Sequence, residues 1–186
     1  EYTTTSATEA YNTNRKSTGN MMPKGYGGFG TELKLYGFDL SLSFAYQFGG
    51  KIIDNPYCHL MYGGNTTYLG QAMHKDLLNA WTPTNTNTDV PRLATNDQYT
   101  VYTAAVDRWL VSSNYLALNN ITIGYTFKRD WVKKLGLSEL RIYGAAENVA
   151  LWSARKGLDP RQSYLSSINA TYSPSRTISG GIRVSF

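Results

Sequence analysis

The side chains best suited to chemistry in this 186-residue chain are few and widely spaced. The single cysteine, Cys58, can form neither an internal disulfide nor a paired-cysteine metal site. The two histidines, His59 and His74, lie too far from other ligands in the sequence to predict zinc binding, and we expect no metal or cofactor. The sequence has no motif of a nucleophilic serine, a zinc protease or a lysine-bearing phosphate loop. The residue types therefore do not predict an enzyme.

Four residues are candidates for contacting a ligand rather than transforming one. The candidates are Trp81, Trp152, Asp159 and Arg161. Indole rings can stack on sugar rings, although packing inside a loop or anchoring at an interface is the competing interpretation. The charged pair could contact polar cargo, but Asp-Pro is also ordinary turn chemistry. The glycine run at residues 25–30 (GYGGFG) resembles a nucleotide-binding loop, yet no helical pattern follows it, and it predicts the start of a strand instead.

The composition favours antiparallel sheet. The chain has 15 Tyr, 17 Gly and 13% aromatic residues, a mixture typical of strands with many turns. Its mean hydropathy is -0.38, and no apolar run reaches the roughly 18 residues of a membrane helix. The net charge of +5 comes from scattered basic residues, with one dense group at 128–134. We therefore expect no nucleic-acid partner.

Apolar and polar residues alternate in five segments, which is the pattern of strands with one apolar face. In the last segment, Ile178, Ile182, Val184 and Phe186 share one parity. Six charged residues of these segments lie on the opposite, less apolar parity: Glu32, Lys34, Asp39, Arg141, Glu147 and Arg183. The predicted strands are 28–36, 38–48, 114–127, 138–150 and 175–186.

The first two strands are predicted to form a hairpin. Tyr36-Gly37 suits a two-residue turn, because glycine readily adopts positive φ. Leu35 and Phe38 then pair on the apolar face, while Lys34 faces Asp39 on the polar face as a favourable charge pair.

The connections between strands differ in length in a regular way. The segment 128–137 is short and reads as one helical turn closed by Gly136, whereas 1–26, 49–112 and 151–174 are long. Short periplasmic turns opposite long extracellular loops are typical of outer-membrane barrels. In that interpretation the apolar parity faces lipid, and the closing residues Ile182, Val184 and Phe186 anchor the chain in the membrane and signal assembly.

Two other architectures remain open from the pattern alone. A soluble β-sandwich, for example a glycan-binding module, shows the same alternation. A small structural or adhesive barrel is also possible in principle, but it needs about eight strands, and the stretch 49–112 does not supply them by alternation. That stretch instead contains a predicted short helix at 76–81 (DLLNAW).

Several stretches, in order from about Gly19 onward, resemble the C-terminal barrel region of SusC/RagA-type TonB-dependent outer-membrane transporters. The similar stretches are 19–54, with its Gly-Gly-Phe and GFDLS; 76–93, with its Trp-Thr-Pro and Pro-Arg; 113–127; 140–152; the GLDP of 157–160; and the closing SRTISGGIRVSF of 175–186. The chain departs from the family at Ala117, where members often carry arginine.

The resemblance implies a fold, a location and partners. It implies that these five strands are the C-terminal part of one large antiparallel transmembrane barrel of about 22 strands in the bacterial outer membrane, with a plug domain that this chain lacks. It implies uptake of glycans or peptides, powered by TonB acting through a part of the protein outside this chain. A SusD-like surface lipoprotein, the rest of the barrel and plug, lipid and lipopolysaccharide are the implied partners, and transporter–lipoprotein pairs are implied to assemble as dimers.

Overall fold

The computed structural model describes residues 16–62, 72–93, 106–162, 167–168 and 174–186. The other parts of the three predicted loops lie outside these residues. The described chain divides into two compact units. The sheet unit comprises residues 22–50, 112–162 and 174–186, and the loop unit comprises residues 16–21, 51–62, 72–93, 106–111 and 167–168.

Eight strands form two sheets. The strands are β1 (Gly25–Leu35), β2 (Phe38–Phe48), β3 (Lys51–Asp54), β4 (Leu110–Ser112), β5 (Tyr115–Thr126), β6 (Glu139–Ser153), β7 (Ser167–Ile168) and β8 (Thr177–Ser185). The large sheet has the order β1-β2-β5-β6-β8, and its neighbours are antiparallel throughout. The small sheet has the order β4-β3-β7. The predicted all-β fold with five long strands is confirmed.

The predicted strand bounds need correction at two places. Strand β1 begins at Gly25 rather than at 28, and β6 continues to Ser153 rather than ending at 150. Backbone pairing continues there beyond the apolar alternation, since Gly25 pairs with Phe48 and Ser153 pairs with Tyr115. The segments predicted as loops at 1–26 and 151–174 therefore each contribute a few residues to the sheet. The three short strands β3, β4 and β7 were not predicted.

The β1–β2 hairpin has the predicted register. Its turn residues Tyr36 and Gly37 have φ of 52° and 91°, which is the type I′ geometry that suits the twist of paired strands. Leu35 pairs with Phe38, and Lys34 lies opposite Asp39. The predicted placement of Lys34 opposite Asp39 is confirmed, but the two side chains do not form the direct ion pair. Lys34 Nζ lies 2.8 Å from the Glu32 carboxylate on the same strand instead.

Asp39 takes its ionic partner from two strands away. Arg141 on β6 donates from Nε to Asp39 Oδ1 at 3.1 Å and from Nη2 to Oδ2. The pair crosses β5 at Gly124, the register partner of Asp39. A Cβ at Gly124 would lie 2.7 Å from the Asp39 carboxylate oxygens. Glycine at this position leaves room for the bidentate pair to span the polar face of the sheet, and a larger residue would make the two side chains shift.

The opposite face of the sheet is apolar and exposed. Aromatic rings stack along it: the Phe29 and Phe44 centroids are 4.8 Å apart, and those of Phe38 and Tyr125 are 4.5 Å apart. Large apolar side chains of all five strands remain accessible on this face: Phe29, Leu33, Leu35, Phe38, Phe48, Leu116, Ile123, Ile142, Trp152, Ile178, Ile182 and Val184. Soluble monomers rarely expose a continuous apolar surface of this extent.

A bulge at Asn119 keeps the apolar face continuous. In the β2–β5 pairing, Ser43 lies opposite Asn120 while the next residue, Phe44, lies opposite Leu118. The extra residue in β5 reverses its side-chain parity, so Leu118 lies on the same face as Phe44. Without the extra residue, strict alternation along β5 would place Leu118 and Leu116 on the polar face of the sheet.

The helices are short. They are the α-helices Asn55–Leu60 and Arg129–Lys133 and the 3-10 helices Lys75–Asn79, Asp107–Trp109 and Pro160–Gln162. The helices predicted at 76–81 and in 128–137 are confirmed, and Gly136 has the left-handed φ of 73° expected of a C-terminal cap. Within the described residues, no helix has the length and apolar character needed to cross a membrane.

The loop unit has a small core of its own. Trp109 is only 2% exposed, and it is clustered with five other buried side chains of this unit. These are Cys58, Met61, Leu77, Ala80 and Val90. The described parts of the long connection thus form a folded element with an apolar centre.

Candidate functional site

A pocket of about 540 Å³ lies on the core of the loop unit. It is lined by Tyr57, Asp76, Asn79, Asp89, Val90, Arg108 and Trp109. Local capping fixes two of its walls. The Asp54 carboxylate accepts the Tyr57 backbone N–H at 3.1 Å at the start of one helix, and His74 Nδ1 accepts the Asp76 N–H at 3.2 Å at the start of another.

The polar atoms of the pocket carry both signs of charge. The Tyr57 hydroxyl donates to Asp76 Oδ2 at 2.8 Å, which orients this carboxylate. Arg108 Nη2 donates to the Asp89 carbonyl oxygen at 2.7 Å, and its guanidinium lies 5.4 Å from the centre of the Trp109 ring. A carboxylate and a guanidinium held in this way suit the binding of a polar ligand with charged groups.

His74 lies beside Asp76 but is not one of the residues that line the pocket. Its Nδ1 lies 3.2 Å from Asp76 Oδ2 and accepts the Asp76 backbone N–H at 3.2 Å. We therefore assign His74 a capping role. Its ring packs edge-on against Tyr57 with centroids 4.8 Å apart.

The structure does not bring the four sequence candidates into one site. Trp81 is an exposed residue of the loop unit, where its backbone N–H donates to the Val90 backbone carbonyl at 2.9 Å. Trp152 belongs to the sheet unit and pairs with Leu116. Through the bulge at Asn119, this pair lies on the apolar face. Trp152 thus lies on the face opposite the Asp39–Arg141 pair, and a role in contacting cargo stays a prediction.

Asp159 and Arg161 bind each other. Arg161 donates from Nε and Nη2 to the two Asp159 carboxylate oxygens at 2.9 and 2.8 Å, and its backbone N–H also donates to Oδ1. Arg161 Nη1 reaches the Asn119 side-chain oxygen at 3.4 Å. The hydrogen bond to buried Asp159 raises the pKa of the Arg161 guanidinium. The pair therefore holds the turn against the β5 bulge, and a role in contacting cargo stays an untested prediction.

The remaining sequence candidates lie in and beyond β8. Ile182 pairs with Ile142, Val184 pairs with Leu140, and Phe186 follows the strand as an exposed residue. Their role in anchoring and assembly is likewise untested. In the part of the chain that the structure describes, no three His, Cys, Asp or Glu side chains are grouped to hold a metal ion.

Sequence reasoning missed the pocket. Its residues come from separate short segments between 57 and 109 that carry no periodic pattern. The one available signal was the length of the 49–112 connection, because loops this long in folded domains usually bind something.

Comparisons with known proteins give consistent results. No model of a known protein family matches the chain. Two curated proteins of Formosa agariphila are similar to it. TonB-dependent receptor P3 is 32% identical over 151 residues, which are 81% of this chain and 14% of that protein. TonB-dependent receptor P39 is 27% identical over 148 residues, which are 78% of this chain and 14% of that protein. The chain thus spans about one seventh of the length of these relatives.

Solved structures of the RagAB peptide transporter are also similar. One is 28% identical, covers 91% of this chain and 18% of the other, and superposes with a TM-score of 0.73. A second, of the importer in its open-open state, is 26% identical, covers 94% of this chain and 19% of the other, and has a TM-score of 0.68.

Proposed function

Because this chain belongs to the SusC/RagA type of TonB-dependent transporters, we propose that the protein of which it is part imports nutrients across a bacterial outer membrane. The named relatives are receptors and transporters, which agrees with an uptake role without covalent chemistry. Since the chain spans only a small share of each relative, the activity belongs to the whole protein.

The exposed apolar face of the large sheet is the observation that carries this proposal. A soluble sandwich would bury that face against a second sheet. Here its isoleucines, leucines and phenylalanines are exposed, while the charged Asp39–Arg141 pair lies on the other face. An outward apolar face and an inward polar face are what a membrane barrel requires. The alternative of a soluble glycan-binding module is therefore disfavoured.

The proposed orientation follows from the connections. The turn at 36–37 and the connector 128–137 would face the periplasm, and the loop unit would lie on the extracellular side. Strands β1 and β8 are the outer members of the large sheet. Their outer backbone edges must pair with further strands of the barrel, because lipid offers no hydrogen bonds.

We also propose two protein partners. TonB would act through a plug domain, and a SusD-like lipoprotein would close over the extracellular mouth. The similarity to the RagAB peptide transporter supports the lipoprotein partner. The long folded loop unit supports it too, because a structured extracellular element offers a surface for docking.

The pocket of the loop unit favours peptides over glycans as cargo. Its carboxylate at Asp76 and its guanidinium at Arg108 match the opposite charges of peptide termini and side chains. The indole of Trp109, which could stack on a sugar ring, is buried instead. The name of the RagAB peptide transporter agrees with this assignment.

The test is peptide uptake by the bacterium that produces the full-length protein. We expect labelled oligopeptides to enter wild-type cells, and entry to stop when the gene is deleted or the proton gradient is dissipated. We expect Asp76→Asn to reduce uptake about tenfold or more, since charge-assisted hydrogen bonds contribute roughly 1.5–3 kcal/mol. Asp107→Asn removes a carboxylate that is paired with Lys16 outside the pocket, and it should leave uptake unchanged.

Each result bears on a different part of the proposal. Uptake that survives loss of the proton gradient would contradict TonB dependence. Loss of glycan uptake in the deletion strain, with peptide uptake unchanged, would contradict the assignment of cargo. Equal loss in Asp76→Asn and Asp107→Asn would show that the pocket itself is not involved.

A further inference from the structure

The connector 128–137 presents two large apolar side chains away from the protein. Two backbone hydrogen bonds fix its helix, Arg129–Lys133, and the turn after it. The Trp131 backbone N–H donates to the Lys128 carbonyl at 3.0 Å. The Leu137 backbone N–H donates to the Val132 carbonyl at 3.2 Å. Val132 is fully buried, whereas Trp131 and Leu135 are 73% and 70% exposed. Trp131 lies in the helix, and Leu135 lies in the turn that follows it. One short connector thus exposes a tryptophan and a leucine.

The same connector carries the densest positive charge in the chain. Four exposed cations stand against the single carboxylate of Asp130. They are Lys128, Arg129, Lys133 and Lys134. Within the described residues none of the four forms an ion pair with an acidic side chain. Their charge is available to a partner outside the described chain.

Hydrogen bonds place the connector at one end of the large sheet. The Ser138 N–H donates to the Ser185 carbonyl at 2.8 Å, and the Thr126 N–H donates to the Gly37 carbonyl at 2.7 Å. The connector, the hairpin turn and the C-terminus therefore meet at the same end.

The apolar face is aromatic at this end. The ring centroids of Phe38 and Tyr125 are 4.5 Å apart, and those of Tyr125 and Phe127 are 4.9 Å apart. The connector begins directly after Phe127, so it starts at the aromatic end of the apolar face.

We propose that the connector binds anionic phospholipid headgroups of the membrane leaflet at this end of the barrel. Trp131 and Leu135 insert at the boundary between headgroups and acyl chains, and the four cations contact the phosphates. An exposed tryptophan among unpaired lysines is the combination that an anionic bilayer surface attracts. This inference rests on the proposed membrane function, and in the proposed orientation the leaflet is the periplasmic one.

The experiment uses the full-length transporter, purified in detergent and titrated with phosphatidylglycerol or neutral phosphatidylcholine. Native mass spectrometry measures the lipid that remains bound. We expect phosphatidylglycerol to bind more tightly than phosphatidylcholine. In Lys133→Gln/Lys134→Gln this preference should fall about ten- to thirtyfold. The control Lys24→Gln/Lys156→Gln removes the same charge from exposed sites outside the connector and should keep the preference.

A second variant tests the apolar contact. Trp131→Ser should weaken binding of both lipids, and Trp131→Phe should restore it. Three results would overturn the lipid site alone. The first is an unchanged lipid preference in Lys133→Gln/Lys134→Gln, and the second is an equal loss of preference in the control variant. The third is displacement of phosphatidylglycerol from these residues by lipopolysaccharide. A wild-type transporter that fails to insert into membranes would overturn the proposed function, and the lipid site with it.

Discussion

Replacing Ile182 by arginine should impair assembly of the transporter. Ile182 lies on the apolar face opposite Ile142 and is 66% exposed. It lies four residues before Phe186, which is at the end of the sheet where the hairpin turn and the connector 128–137 also lie. Four residues span about 14 Å along a strand. A strand tilt of about 40° converts this to a depth of about 10 Å, close to the middle of an apolar band about 25 Å tall. Arginine there costs about 2–4 kcal/mol.

The matched variant is Ser179→Arg on the same strand. Ser179 pairs with Ala145 on the polar face, where Arg141 and Arg183 already lie opposite each other. Arginine on this side remains in contact with water or polar groups and should be tolerated. The folded fraction of full-length transporter in outer membranes, read from its heat-modifiable migration in a gel, distinguishes the two. Equal folded fractions for Ile182→Arg and Ser179→Arg would refute the assignment of the faces.

Two further predictions concern single contacts. Gly124→Ala places a Cβ 2.7 Å from the Asp39 carboxylate and must displace its pair with Arg141. It should destabilise the transporter by about 1–3 kcal/mol in a detergent melting curve, whereas Gly144→Ala, whose nearest neighbour is 3.9 Å away, should not. Burial, with a smaller contribution from Asp54, raises the pKa of the Cys58 thiol to about 11. Maleimide labelling at pH 8 should therefore be on the order of a hundredfold slower than in the unfolded protein and should rise as the pH approaches 11; rapid labelling of the folded protein would contradict this.

The sequence predicts the large sheet well because the residues that determine its faces and its first turn lie close together in the sequence. Alternation assigns each strand's faces, and the Tyr36-Gly37 turn fixes the register of the β1–β2 hairpin. The Asn119 bulge was not predictable in the same way, since it appears only when β5 is paired with its neighbours. The partner of Asp39 was also missed because Arg141 lies 102 residues away in the sequence.

The candidate site was much less predictable. Tryptophans were chosen because of their residue type, but burial and face decide what a tryptophan contacts. Trp81 is an exposed residue of the loop unit, and Trp152 lies on the apolar face of the sheet. The pocket depends on how short, non-periodic segments pack around Trp109, and sequence spacing does not encode this packing.

The most direct test of the central claim is the environment of each side chain along β8. Nitroxide labels are placed singly at residues 178–185 of the full-length transporter in a bilayer, with Cys58 replaced by serine. A high collision rate of the label with dissolved oxygen indicates a lipid environment. A high collision rate with a water-soluble nickel complex indicates an aqueous environment. The barrel predicts a period of two, with oxygen maxima at Ile178, Ile182 and Val184 and nickel maxima at Ser179 and Arg183. Uniform accessibility along β8, or the reversed alternation, would contradict a lipid-facing sheet.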